Sequence, residues 1–235
     1  PQLKRLIKMI LKTHNRIICR YQVVFALILL THTGLKAQNN GLSFDGVEEE
    51  AQVGPLSIFD GVTNQPFTIE AWFNPAQTVN KGTVWSIGVN TGENLRLKQV
   101  AGGGMAVDNI DGDVIVGSSP DIATNRWHHS AVVYDGTELT LYIDGIEEGK
   151  ASIALTMEGT GFRIGRGTFD FANFWEGAID EIRIWDYART KSEIFDYLFL
   201  NVDGTEVGLV HSYNFNETAG TALPDLTGGT NGTTV

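Results

Sequence analysis

Residues 126–149, RWHHSAVVYDGTELTLYIDGIEEG, read as two strands joined by the turn Asp135-Gly136-Thr137 and closed by a second turn at Asp144-Gly145. Trp127, His129, Ala131 and Val133 share one face of the first strand; Leu139, Leu141 and Ile143 share one face of the second, opposite Thr140, Tyr142 and Asp144. A period of two is the signature of a strand. Two neighbouring strands with one apolar face each need a cover, so a second sheet is expected from the rest of the chain.

Working outward, the same alternation recurs. Phe67, Ile69, Ala71 and Phe73 point one way and Thr68, Glu70 and Trp72 the other, between Pro66 and Pro75. Further strands are expected at 41–46, 83–89, 94–99, 104–108, 113–117, 162–165, 178–185 and 208–215, with Asp-Gly turns among them. Thr190-Lys191-Ser192-Glu193 is a capping box that should open one short helix over 190–200. The class is therefore all-β, a two-sheet antiparallel sandwich with one short helix near its C-terminal end.

Residues 1–37 belong to a different kind of segment. Lys4, Arg5, Lys8, Lys12, Arg16 and Arg20 precede the apolar run Val23 to Leu30, and Ala37 supplies a small residue for cleavage. This is the plan of a secretory signal peptide; eight apolar residues span only ~12 Å as helix, too short for a bilayer. Without this leader, and counting Lys36, the chain has 17 − 7 = 10 Lys and Arg against 28 Asp and Glu, a net of −18. Such a surface excludes nucleic-acid binding and suits divalent cations. Cys19 is the only cysteine and lies in the leader, so residues 38–235 must hold together by their core alone. Export from a bacterium, to the medium or the cell surface, is the expectation. Residues 216–235 are rich in Gly, Thr, Ala and Asn and read as a linker or the start of a following repeat, with further domains beyond it.

The segments GLSFDG (41–46), FTIEAWFNP (67–75), WHHSAVVYDGTELTLYIDG (127–145), IGRG (164–167) and FWEGAIDEIRIWDYART (174–190) resemble the laminin-G-like, concanavalin A-like lectin/glucanase jelly rolls of bacterial secreted proteins. They run in that family's order over residues 38–215. Here Glu48-Glu49-Glu50 is followed by Ala51, where the family has an aromatic. The resemblance implies a jelly roll, and often one structural Ca²⁺ joining the first and last strands, with Asp45 and Asp180 at the positions of its acids. The tail at 213–233 matches either the opening of another such unit or the closing strand of this one.

Asp180 stands out on its own pattern too. In Ala178–Trp185 it shares a side with Ala178, Ile182 and Ile184, and a carboxylate there needs a cation or several N–H donors. Ca²⁺ held by Asp180, the Asp45 region and backbone carbonyls would satisfy it. Glu48 to Glu50, and the cluster Asp108, Asp111 and Asp113, read as solvated turns. His128 and His129 face opposite ways and cannot chelate one ion; His129 reads as a hydrogen-bonded core histidine, and His211 is isolated.

No Ser-His-Asp or Cys-His arrangement can be assembled. The glucanase pattern Glu-x-Asp-x-x-Glu is absent, since Glu176, Asp180 and Glu181 have the wrong spacing and faces. The chain is accordingly read as no enzyme. Aromatic faces stack on sugars; Trp72, Trp85 and Tyr142 are candidates, and the loop holding Phe171, Phe174 and Trp175 is the strongest. The expected function is extracellular recognition or adhesion, binding a glycan or a protein surface. A structural spacer and an accessory domain of a secreted glycoside hydrolase are the alternatives.

Overall fold

A computed structural model describes residues 41–78, 82–88, 95–109, 114–118, 122–157, 161–167, 173–217 and 220–235. Its strands, numbered along the chain, form two antiparallel sheets. The first, sheet A, holds β1 (Leu42–Asp45), β4 (Phe67–Pro75), β9 (His128–Tyr134), β10 (Glu138–Ile143), β11 (Ile146–Ser152), β14 (Glu176–Trp185) and β15 (Leu209–Tyr213). Their order is β1-β14-β4-β9-β10-β11, with β15 also on β14. Sheet B holds β2 (Ala51–Val53), β5 (Thr83–Ile87), β6 (Leu95–Gln99), β7 (Met105–Asn109), β8 (Val114–Gly117), β13 (Phe162–Ile164), β16 (Ala222–Leu223) and β17 (Gly232–Thr234). It runs β16-β17-β2-β13-β5-β6-β7-β8, and the short strands β3 (Val62–Thr63) and β12 (Thr156–Met157) pair separately. This is a jelly-roll β-sandwich. Among the described residues no helix is long and apolar enough to cross a membrane.

The core between the sheets follows the alternation of each strand. Phe67, Ile69, Ala71 and Phe73 of β4 meet Leu139, Leu141 and Ile143 of β10 and, from sheet B, Val53, Trp85, Ile87, Leu97, Val107, Phe162 and Ile164. Trp85 stacks on Phe162 at 6.2 Å, so this candidate for stacking on sugars belongs to the packing.

On β9 the expected facing is reversed. Val132 and Tyr134 enter the inter-sheet core, whereas His129, Ala131 and Val133 lie on the opposite face of sheet A. That second face is also buried, under α1 (Lys191–Tyr197), whose Ile194 packs on Ala131 and Val133. A strand covered on both sides is apolar on both, and its sequence alone does not say which side meets the second sheet. The capping box forms as read: Thr190 Oγ accepts from the Glu193 N–H at 3.3 Å, and Glu193 Oε2 from the Thr190 N–H at 2.7 Å.

Arg189, just before the helix, fastens it down. Its Nη1 donates to Glu70 Oε1, both side chains being at most 1% exposed, and its guanidinium lies 4.0 Å over the Trp185 ring. Burial alone would raise the Glu70 carboxyl, but His129, Arg189 and Arg183 outweigh it and hold it below the ordinary range.

The C-terminal residues close the sandwich instead of trailing from it. Of the readings open for the tail, the closing strand is the one formed: β17 pairs with β2, and Val235 exchanges backbone hydrogen bonds with Glu50. His211, isolated in sequence, meets Asp225 of this segment at 2.6 Å, and Asp225 also accepts from the Ser212 and Thr227 N–H groups. A Gly- and Thr-rich stretch looks like a linker because short strands at an edge need little apolar side chain of their own.

Candidate functional site

The residues expected to act together do not converge. Asp45 pairs with Glu176 across β1 and β14, whereas Asp180 lies beside Gly41, so about 13 Å of strand, four residues at ~3.3 Å each, separates the two acids. One Ca²⁺ takes its oxygens at about 2.3–2.6 Å, so these two carboxylates do not fit a shared ion. Asp45 instead caps its own turn, accepting from the Val47 N–H at 2.9 Å. Among the described residues no group of three or more His, Cys, Asp or Glu side chains is placed to hold a metal.

Asp180 is also not on the core face. A bulge falls between Asp180 and Arg183, with Glu181 in the left-handed region at φ 51°. The extra residue sends Ile182 and Ile184 into the core with Ile179 and leaves Asp180 opposite Trp72, on the outer face of sheet A. Burial and the charge of Glu181 push its carboxyl up to about 7, against the opposing Glu181 N–H bond and Arg183.

Of the three aromatics, Trp175 is 1% exposed and packs edge-on against Phe73 at 5.8 Å, so it is a core residue with no face to offer. Phe171 lies outside the described residues. Phe174 is half-buried, with the Arg166 guanidinium 5.2 Å from its ring centre.

Arg166 leads to a site the sequence reading passed over. On the outer face of sheet B, cross-strand partners align Thr233, Gln52, Arg163, Ser86, Arg96 and Asp108 in one row over β17, β2, β13, β5, β6 and β7. Six strands at ~4.8 Å spacing make it about 24 Å long. Gln52, Arg163, Ser86 and Arg96 each sit between two core neighbours, Arg163 between Phe162 and Ile164, Arg96 between Leu95 and Leu97, so the strand period aims them outward.

Two carboxylates organise this row. Glu50, just before β2, accepts from Gln52 Nε2 at 2.9 Å and Arg166 Nη1 at 2.9 Å through Oε1, and from Arg163 Nη1 at 2.5 Å through Oε2. Burial works to raise its carboxyl; the hydrogen bonds from Arg163 and Gln52 and the two guanidinium charges prevail and hold it low. Asp108, fully buried, takes Arg96 Nε at 2.6 Å and Nη2 at 3.0 Å, with Lys98 Nζ also on Oδ2. Both acids were expected to be solvated turn residues, and both are buried ion-pair centres. Asp111 and Asp113 lie outside the described residues.

The turn after β13 sets the spacing of the two arginines. Gly165 has φ +81°, and a Cβ there would sit 2.3 Å from the Phe44 ring, so glycine is required on both counts. The turn brings Arg166 back to the same carboxylate as Arg163. The signal for this site was present in the Arg-x-x-Arg of 163–166 and in Arg96-Leu97-Lys98, polar positions alternating with core ones. Unlike sheet A, sheet B has no helix across its outer face among the described residues.

A family model described as the concanavalin A-like lectin/glucanases superfamily matches residues 45–195. Among solved structures, a Bacteroides ovatus protein named as a candidate carbohydrate-binding protein superposes with a TM-score of 0.63 at 25% identity, over 82% of this chain and 57% of that one. The chain thus spans little more than half of that protein's length. The CBM40 of the Ruminococcus gnavus IT-sialidase, bound to α2,3 sialyllactose, gives 0.52 at 12% identity over 66% of this chain and 96% of its own. The heptameric SAP-like pentraxin of Limulus polyphemus gives 0.50 at 16% identity, over 66% and 79%. At such identities the last two share the fold. A search of curated proteins gives no match. With its family model covering well over half of the residues, the chain belongs to the concanavalin A-like lectin/glucanase superfamily, in its laminin-G-like form.

Proposed function

We propose that residues 41–235 form a non-catalytic carbohydrate-recognition module of an exported, multidomain protein, and that its ligand lies along the outer face of sheet B. The observation that carries this reading is the part-exposed end of the row, where Gln52, Arg163 and the adjacent Arg166 hold amide and guanidinium groups on the buried Glu50 carboxylate with the Phe174 ring beside them. Ser86, Arg96 and Asp108 are buried and support it from one side. Sugars are held by such hydrogen-bonding groups together with an aromatic face. The similarity to the Bacteroides ovatus protein supports the same reading.

The placement of the acids supports a binding role over hydrolysis. Glu50 and Asp108 stand at β2 and β7, four strand spacings or about 19 Å apart, whereas glycosidases keep their two carboxyls within about 5–9.5 Å. Both are also bound in ion pairs, which suits neither a proton donor nor a nucleophile. A glycan array on the full chain tests the reading, with Gln52→Ala and Phe174→Ala compared against Trp72→Ala on sheet A. Binding that the first two weaken and the third does not is the expected result; no glycan bound by the parent protein would sink it.

A further inference from the structure

Two arginines occupy the same row of sheet B, with Ser86 between them. Arg96 presents the edge formed by Nε and Nη2 to Asp108, making two near-parallel bonds of 2.6 and 3.0 Å. Arg163 is bound differently. Among the described residues only its Nη1 is engaged, by Glu50, and the equivalent Nε/Nη2 edge has no partner there, while the side chain is 28% exposed. We propose that this open edge of Arg163 receives a carboxylate of the ligand, and that the module recognises an acidic sugar, a uronic acid or another sugar whose ring carries a carboxyl group. The proposal rests on the carbohydrate reading above and names its ligand class.

Three features favour a carboxylate over a hydroxyl. The guanidinium edge offers two coplanar donors at the separation of two carboxylate oxygens, a match that a single hydroxyl leaves half used. The neighbouring Arg96–Asp108 pair shows the same geometry satisfied inside this protein. Glu50 holds Arg163 from the far side and is itself held by Gln52 and Arg166, so the edge is oriented before the ligand arrives. The strongly negative total charge opposes an anion at long range, but screening confines that repulsion to about 8 Å at physiological salt, while the paired donors act in contact.

Calorimetry on the full chain provides the test, using trigalacturonate against its carboxyl-reduced trisaccharide, sialyllactose against lactose, and a sulfated galactan oligosaccharide. At least one carboxylated member should bind about tenfold or more tighter than its neutral counterpart. Arg163→Lys, which keeps the charge but lacks the fork, and Arg163→Gln should both erase that preference, with Arg163→Gln also losing a few degrees of Tm because Glu50 Oε2 loses its partner. The comparison of acidic with neutral sugars on the parent protein holds whether or not either variant folds. Equal binding of acidic and neutral members, preference for the sulfated sugar, or an acid preference that survives in folded Arg163→Lys would each overturn the proposal and leave glycan recognition standing. Binding of no sugar at all would overturn both.

Discussion

Arg163 of β13 and Glu50, just before the adjacent strand β2, are 113 residues apart in sequence, and they meet through Nη1 and Oε2 at 2.5 Å. This pair joins the start of β2 to β13 and sets the direction of the part-exposed Arg163 side chain. It also ties the face to the end of β17, because the backbone of Glu50 pairs with that of Val235.

Glu50→Gln is therefore expected to disturb two arginines at once. The amide keeps an acceptor but removes the countercharge, at a cost on the order of 1–3 kcal/mol. Thermal unfolding should show a loss of a few degrees, and glycan binding should fall by tenfold or more.

Arg189→Met should be more damaging to the fold. It leaves the Glu70 carboxylate buried beneath the helix without the guanidinium that hydrogen-bonds its Oε1, which typically costs about 3–5 kcal/mol. At roughly 2–4 °C per kcal/mol for a domain of this size, Tm should fall by about 6–20 °C. Adding Glu70→Gln should recover part of the loss, as measured in a double-mutant cycle.

The two aromatics adjacent in sequence should behave oppositely. Trp175→Ala opens a cavity beside Phe73 and should cost about 3–5 kcal/mol in denaturant unfolding. Phe174→Ala should cost far less stability and act instead on glycan affinity.

Asp180 gives a pH prediction. Its folded value of about 7 lies above the ordinary 3.8, so between about pH 4 and 7 the unfolded chain gives up its proton first. Stability contributed by the protonated side chain is consequently lost as pH rises through that window. Asp180→Asn should match the parent at pH 4 and exceed it at pH 8 by an amount on the order of 1–3 kcal/mol, read from Tm against pH.

Calcium offers a separate check on the register. Because about 13 Å of paired strand divides Asp45 from Asp180, any calcium-dependent shift in Tm that requires Asp180 should be unchanged in Asp45→Asn. Loss of that shift in Asp45→Asn would contradict the separation.

Much of the sandwich was legible because its strands obey the period of two, as in Phe67 to Phe73, and because Thr190 and Glu193 announce the helix. Facing was harder. β9 is buried on both sides, and the bulge at Glu181 shifts the phase of β14 by one residue, moving Asp180 from the core face to the other. The composition of the tail reads as a linker because its pairing partner, β2, lies far back in sequence; only the resemblance offered a closing strand. At the site, Phe174 could be singled out by composition, but its neighbour Trp175 carries the same signal and packs inside. Glu50 and Asp108 look like ordinary acids of acidic turns; only the fold brings Arg163, Arg166, Arg96 and Lys98 across to them.

The location of the ligand is the claim on which the rest depends. Backbone amide shifts of the labelled protein, followed while adding the best glycan from the array, measure it most directly. The largest changes are expected at Gln52, Ser86, Arg96, Arg163 and Arg166. Changes confined to Trp72, Trp127 and Asp180 would place the ligand on sheet A and contradict the account.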